Sequence, residues 1–185
     1  DDGVSVTLNN ITLTSGQEVY DGGAIYNQGN LIVEDCQFKN TIVTNTGGAI
    51  CSFGTLTVLN STFINTTATK EGGAIYSSTS STLTVIDSNF IDNYADGQGA
   101  SILSQGVLNV KDSTFNSTTV NGTAIIYIKS YNKSANLTNN TINSFLTPIY
   151  NNGGNIISPT KLYFDNVTCI VSRNATLTAT LTDDK

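Results

Sequence analysis

Hydrophobic and polar residues alternate along short stretches of this chain, and the same alternation returns every 25 to 27 residues. One repeated phrase follows the pattern Leu-x-Val-x-Asp/Asn-Ser-x-Phe, with small changes, at residues 31–38, 56–63, 83–90 and 108–115. Weaker copies of this phrase end at Leu13, Ile142 and Cys169. A second phrase, Gly-Gly-Ala-Ile-Tyr, occupies residues 22–26 and 72–76 and returns with substitutions at 47–51, 99–103 and 122–126. Such a regular period predicts a solenoid of about seven turns.

The residue types within each unit indicate strands rather than helices. Thr, Val, Ile, Phe and Tyr alternate with polar residues at a period of two, and Gly, Asn, Asp and Ser punctuate them. We expect two or three strands of about four to six residues in each unit, each pairing in parallel with its copy one coil later. Parallel crossovers are overwhelmingly right-handed. The predicted fold class is therefore all-β: a right-handed, single-stranded parallel β-helix over residues 1–169.

Identical positions of a parallel stack lie above one another, so the repeated hydrophobic residues predict ladders inside the coil. The predicted leucine ladder is Leu31, Leu56, Leu83 and Leu108, and the predicted phenylalanine ladder is Phe38, Phe63, Phe90 and Phe115. The isoleucine of the second phrase is also expected to face inward, at Ile25, Ile50, Ile75, Ile102, Ile125 and Ile149. Strand alternation then sends the alanine and tyrosine rows of that phrase outward.

A column of Asn and Asp residues is expected at a bend between strands, where short polar side chains bond the local backbone and one another. Its predicted members are Asn10, Asp35, Asn60, Asp87, Asp112, Asn139 and Asn166. We assign this column a structural role.

The last residues of the chain, 170–185, depart from the repeat. Residues 173–181 alternate like a single strand and a charged turn follows. Two interpretations remain: a capping strand that shields the open edge of the last coil, or the first strand of an immunoglobulin-like stalk domain.

Composition is typical of an extracellular rod. Charged residues make up 12% of the chain, and Asn, Ser and Thr supply the polar surface instead. A net charge of -6 with eight basic residues excludes a nucleic-acid binder. No apolar run is long enough to cross a membrane, so membrane attachment is expected only through parts outside this chain. The chain begins within a repeat, and we interpret it as a monomeric piece of a longer surface protein.

The three cysteines do not define a disulfide framework. Cys36, Cys51 and Cys169 each replace a buried or half-buried residue of the repeat, and we interpret them as small core residues. A bridge between Cys36 and Cys51 remains open.

The two phrases together resemble the repeats of adhesin-like proteins of methanogenic archaea, and more distantly those of bacterial polymorphic outer-membrane proteins. The resemblance covers residues 4–169 and is carried by residues 22–26 and 72–76 together with 56–63 and 83–90. Members of that group are large cell-surface proteins, in which β-helical repeats precede immunoglobulin-like stalks. The resemblance implies attachment to other cells or to host surfaces, and it assigns no binding residue. The Phe-x-x-Asn signature of the bacterial branch is only partly kept here.

The main enzymatic alternative is a polysaccharide lyase or hydrolase built on the β-helix. Such sites need clustered carboxylates, with either a calcium ion and a basic residue or a paired acid and base. The chain contains no His and one Arg, Arg173, which lies outside the repeats. The closest approach to a site is Asp21 and Glu71, each directly before a glycine pair, with Asp96 one turn further. These three residues are the candidate metal ligands, although an assignment as solvated turn residues is favoured.

Tyr26, Tyr76 and Tyr150 are the candidate binding residues, because outward aromatic rings can stack on sugars or contact a partner protein. An assignment as rings that cover a corner of the coil is favoured. Taken together, the sequence predicts a non-catalytic, extracellular adhesin-like module of the cell surface without a cofactor. Its expected partners are glycans or surface proteins of other cells, and the alternatives are the enzyme described above and a purely structural spacer stalk.

Overall fold

The computed structural model describes residues 4–118, 122–130 and 133–156, and the backbone alone of residues 162–164. Short strands are the regular elements of this part of the chain. In chain order they are β1 (Ser5–Asn9), β2 (Thr12–Thr14), β3 (Gln17–Glu18), β4 (Ile25–Asn27), β5 (Asn30–Glu34), β6 (Gln37–Lys39), β7 (Ile42–Val43), β8 (Ile50–Ser52), β9 (Thr55–Leu59), β10 (Thr62–Ile64), β11 (Thr67–Ala68), β12 (Ile75–Ser77), β13 (Thr82–Ile86), β14 (Asn89–Ile91), β15 (Tyr94–Ala95), β16 (Ile102–Ser104), β17 (Val107–Lys111), β18 (Thr114–Ser117), β19 (Ala124–Ile128), β20 (Ser134–Thr138), β21 (Asn140–Ser144), β22 (Thr147–Asn151), β23 (Asn155–Ile156) and β24 (Leu162–Phe164). The described residues contain no helix that is long and apolar enough to span a membrane.

The strands form four parallel sheets that run along the coil. The first sheet joins β1, β5, β9, β13, β17, β20 and β23, and the second joins β2, β6, β10, β14, β18, β21 and β24. The third sheet joins β3, β7, β11 and β15, and the fourth joins β4, β8, β12, β16, β19 and β22. Neighbouring strands are parallel throughout the described residues. The predicted parallel β-helix is confirmed, with about six turns and up to four short strands per turn instead of two or three.

Repeated hydrophobic positions fill the inside of the coil. The predicted leucine ladder is buried and in register, and a valine ladder of Val33, Val58, Val85 and Val110 lies two residues further along the same strands. The four phenylalanines are fully buried and stacked, with ring centroids 4.8, 4.8 and 4.6 Å apart. Both predicted ladders are therefore confirmed, and they leave the outer faces of the sheets as the surfaces that can meet a partner.

The predicted Asn and Asp column lies at the bend between the first and second sheets. Its described members all have positive φ, between 43° and 55°, a left-handed conformation that Asn and Asp tolerate better than most residues. The side chains also bond within the column, since Asn60 Nδ2 donates to Asp35 Oδ1 at 2.6 Å and Asn139 Nδ2 donates to Asp112 Oδ1 at 2.5 Å. Asn166 lies outside the described residues.

The serine that follows this column forms a buried hydrogen-bonded ladder. Ser61 Oγ accepts a hydrogen bond from Cys36 N, Ser88 Oγ accepts one from Ser61 N, and Ser113 Oγ accepts one from Ser88 N. Each of these serine hydroxyls also donates to the carbonyl two residues earlier in its own coil. The ladder satisfies backbone groups that the bend removes from the sheets, so the Ser of the repeated phrase has a structural role.

The glycine pair of the second phrase is required by close packing between coils. Gly47 has a φ of 67°, and a Cβ atom on Gly48 would collide with the carbonyl oxygen of Gly73 in the next coil. A larger residue at either position would strain the backbone or push the coils apart.

Three details of the predicted register are wrong. The inward column continues from Ile102 through Ile126 to Ile149, so Ile126 takes the place expected for Ile125, which is itself buried. The alanine row is not an exposed strip, because Ala49 and Ala74 are fully buried in the core. At the end of the phenylalanine ladder Ile142 pairs with Phe164, whereas Cys169 lies outside the described residues.

Candidate functional site

The outer face of the fourth sheet carries a line of aromatic side chains, which we call the aromatic strip. Its members are Tyr26, Phe53, Tyr76, Tyr127 and Tyr150. The tyrosines share one column with Cys51 and Leu103, because the strand register places these residues directly above one another. The predicted binding residues Tyr26, Tyr76 and Tyr150 therefore do lie along one face.

Two members of the strip were not predicted. Tyr127 pairs with both Leu103 and Tyr150, and it occupies the position that the repeat pattern assigned to Ile126. Phe53 follows β8, where its backbone N donates to the carbonyl of Asn27. Its ring lies 5.4 Å from Tyr26 and 6.3 Å from Tyr76, measured between centroids. The neighbouring coils have Gln28 and Ser78 at this position. The single aromatic residue at this position is therefore the feature of the sequence that could have identified Phe53 as a member of the strip.

The strip divides into an exposed half and a packed half. Tyr26 is 50% exposed and Phe53 is 40% exposed. In the packed half Leu103 is fully buried, Tyr127 is 6% exposed, and Tyr127 stacks on Tyr150 with centroids 4.7 Å apart. The rings that remain available to a ligand are therefore concentrated in the first coils.

Tyr76 lies between the two halves and keeps its phenolic proton at neutral pH. Burial, with a further contribution from the negative charge of Glu71, raises the pKa of Tyr76 to about 12. Its hydroxyl is therefore a hydrogen-bond donor over the physiological pH range.

Asp21, one of the candidate metal ligands, is held rigidly beside the strip. Its Oδ1 accepts hydrogen bonds from Asn45 Nδ2 at 2.6 Å, from Thr46 Oγ1 at 2.7 Å and from Thr46 N at 3.1 Å. Its other oxygen, Oδ2, has no hydrogen-bond partner among the described residues. Thr46 Oγ1 also lies 3.5 Å from the thiol sulfur of Cys51, which links this carboxylate to the tyrosine column.

Glu71 is in the same column as Asp21, two coils further on. Thr46 lies between them, and an isolated bridge joins Thr46 to Glu71 as another joins Glu71 to Gln98. Glu71 Oε1 forms an ion pair with Lys129 Nζ at 2.9 Å. One carboxylate oxygen of Asp21 and one of Glu71 are thus already bound by protein donors. The predicted alignment of Asp21, Thr46 and Glu71 is correct.

The structure does not place Asp96 in this column. Gln98 takes that position, and Asp96 Oδ1 accepts a hydrogen bond from Tyr94 Oη at 2.6 Å instead. Among the described residues, no group of three or more His, Cys, Asp or Glu side chains is arranged to hold a metal ion. Asp21, Glu71 and Asp96 therefore are not brought together as a metal site in this part of the chain.

A shallow groove runs beside the strip at the corner between the third and fourth sheets. Its volume is about 600 Å³, and it is lined by Asn45, Thr46, Thr69, Lys70, Glu71, Asp96, Gly97 and Gln98. Amide, hydroxyl and charged side chains are among the residues that line this groove.

The two described cysteines are buried and free. The bridge between Cys36 and Cys51 that the sequence left open is absent. Burial, partly offset by the hydrogen bond between Cys51 and Thr46, raises the pKa of the Cys51 thiol to about 11. Cys51 is thus a neutral packing residue between Tyr26 and Tyr76.

Comparison with known proteins finds no matching family model, no similar curated protein and no similar solved structure. Any function must therefore be argued from the strip, the groove and the composition of the chain.

Proposed function

We propose that this chain is a non-catalytic, extracellular module that is displayed on a cell surface and attaches to a partner through its lateral face. The observation that carries the proposal is the exposed half of the aromatic strip, where Tyr26 is 50% and Phe53 is 40% exposed and the two ring centroids lie 5.4 Å apart. Large apolar side chains exposed together favour contact with a partner. The filled core supports a surface contact rather than an internal pocket.

The charge and the resemblance support the extracellular assignment. The polar surface is rich in Asn, Ser and Thr, and the net charge is -6, which disfavours nucleic acid. The resemblance to adhesin-like surface proteins of methanogenic archaea supports the same role, with glycans or surface proteins of other cells as partners. A monomeric rod with a small contact area binds weakly on its own, so attachment depends on many copies.

The strongest alternative from the same fold is a spacer that holds another domain away from the cell. The packed half of the strip favours it, because Leu103 and Tyr127 are buried and unavailable to a partner. A spacer binds nothing by itself, which separates the two functions experimentally.

The test is cell binding by this chain displayed in many copies on beads. We expect wild-type beads to bind cells or immobilised cell-surface extracts above the level of uncoated beads. A variant with both Tyr26→Ala and Tyr76→Ala is expected to lose most of this binding. Phe145→Ala is the matched control, because Phe145 is 81% exposed and lies away from the strip between β21 and β22. Beads that bind no cell type would contradict the attachment function and leave the spacer.

A further inference from the structure

Tyr26, Phe53 and Tyr76 are neighbouring aromatic rings whose planes are inclined to one another. The rings of Tyr26 and Phe53 are inclined by 38°, and those of Phe53 and Tyr76 by 50°. These three rings belong to consecutive coils, and about 10 Å separates the first coil from the third at the strand spacing of a sheet. A ligand with apolar C–H faces, such as a short chain of sugar rings, can cover more than one of them.

Asp21 supplies the directional polar contact beside these rings. Three hydrogen bonds fix its Oδ1, so the carboxylate does not need to be ordered when a ligand arrives. Oδ2 has unused lone pairs and can accept hydrogen bonds from ligand hydroxyls. Thr46 connects this carboxylate to Cys51, which lies in the strand register between Tyr26 and Tyr76.

We infer that Asp21, Tyr26 and Phe53 form a binding subsite for a neutral saccharide. This inference rests on the proposed attachment function and names its ligand. The rings stack on the C–H faces of the sugar, and Asp21 Oδ2 accepts hydrogen bonds from its hydroxyl groups.

Charge selects a neutral saccharide over an acidic one. Asp21 and Glu71 flank the strip, and Lys129 is already paired with Glu71 at 2.9 Å. A carboxylated or sulfated sugar placed over Tyr26 and Phe53 would approach the unneutralised charge of Asp21.

The short exposed part of the strip favours a saccharide over a protein. A stable protein interface needs about 800 Å² from each partner with an apolar centre, whereas the strip beyond Tyr76 is closed by Leu103 and Tyr127. The groove beside it includes amide and hydroxyl side chains in its lining, which can hydrogen-bond a hydroxyl-rich ligand.

Direct titration of the full chain tests this inference. The probes are neutral oligosaccharides of glucose, mannose, galactose and N-acetylglucosamine, with sialylated and sulfated oligosaccharides as the charged comparison. Binding is measured by nuclear magnetic resonance and on a glycan array. We expect a neutral probe to bind, and Phe53→Ala or Asp21→Asn to weaken it about tenfold. Phe145→Ala is expected to leave binding unchanged, and the thermal transition of each variant verifies folding.

The outcomes also separate this inference from the proposed function. Unchanged binding in folded Phe53→Ala and Asp21→Asn overturns the subsite, as does a preference for acidic probes. If no saccharide binds but the beads still attach to cells in a protease-sensitive way, the partner is a protein and the saccharide inference is wrong while attachment stands. If neither saccharides nor cells bind, both proposals are wrong.

Discussion

Phe63 stacks on Phe90 of the next coil with ring centroids 4.8 Å apart and ring planes inclined by only 5°. The spacing equals the distance between neighbouring strands, so each ring covers the one below it along the coil. Both rings are fully buried. The stack therefore joins successive turns into one continuous core.

Replacing Phe63 with Ala is expected to destabilise the fold by about 3 to 5 kcal/mol. The rings on both sides are fixed by their own strands and cannot collapse into the gap. Equilibrium denaturation in urea measures the loss, and Phe145→Ala is the control because its ring is exposed. A loss below about 1 kcal/mol for Phe63→Ala would contradict the buried stack.

Two buried serines provide a paired test of the hydrogen-bonded ladder. Ser88 Oγ accepts from Ser61 N and donates to the carbonyl of Ile86, whereas the buried hydroxyl of Ser104 has no hydrogen-bond partner within the part of the chain that the structure describes. Ser88→Ala leaves the amide of Ser61 unsatisfied and is expected to cost about 1 to 3 kcal/mol. Ser104→Ala removes an unpaired hydroxyl and is expected to be neutral or stabilising. Denaturation measures the free energy of unfolding of both variants. Equal losses of stability would show that the serine ladder does not account for the effect of Ser88→Ala.

The parts of the fold that could be predicted are those in which the chain repeats itself. Phe38, Phe63 and Phe90 recur at 25 and 27 residues, and stacking requires identical positions to coincide, so their burial follows from the period. The same reasoning places Asp21 and Glu71 in one column, since each precedes a glycine pair.

The parts that could not be predicted are those in which the repeat decays or an irregular residue decides. Ile125 and Ile126 are adjacent and both apolar. Only the strand pairing shows that Ile126 continues the inward isoleucine column and that Tyr127 continues the outward tyrosine column. Asp96 is followed by Gly97, which resembles the start of a glycine pair, and the sequence therefore predicted Asp96 one turn after Glu71. Phe53 lies beyond the repeated phrase, and its approach to Tyr26 depends on the turn after β8.

The left-handed bends provide a second paired test of stability. Asn65 has a φ of 51°, a conformation that is strained for Ala and unstrained for Gly. Asn65→Ala is therefore expected to be destabilising by about 1 to 2 kcal/mol, and Asn65→Gly is expected to cost less. Thermal and urea denaturation of both variants measure the difference. A more stable Ala variant would be inconsistent with the left-handed bend.

Cys51 predicts how stability changes at high pH. Burial raises its folded pKa from 9.0 to about 11, so the unfolded chain loses this proton at a lower pH than the folded chain. The contribution of the neutral thiol is complete below pH 9.0 and is lost as the pH rises toward about 11.

The measurement is the free energy of unfolding between pH 8 and pH 11 for the wild type and for Cys51→Ala. We expect the wild type to lose stability more steeply across this window, because the variant has no thiol at position 51 to ionise. Alkylation is the second readout: in a Cys36→Ser, Cys169→Ser background, the folded chain should react with iodoacetamide far more slowly than the urea-unfolded chain at pH 8.5. Equal rates would show that Cys51 is accessible.

The last prediction is that the chain does not cleave polysaccharides. Asp21 and Glu71 are two coils apart, a separation of about 10 Å at the strand spacing, which is near the upper limit for the two carboxyl groups of an inverting glycosidase. The prediction rests on the engagement of both carboxylates, because three donors hold Asp21 Oδ1 and Lys129 pairs with Glu71. Incubation with pectins, alginates, glycosaminoglycans and neutral glycans, beside an active lyase as the positive control, should release neither unsaturated products nor new reducing ends. Cleavage that is reproducible in the wild type and disappears in both Asp21→Asn and Glu71→Gln would instead identify the two carboxylates as an acid and base pair.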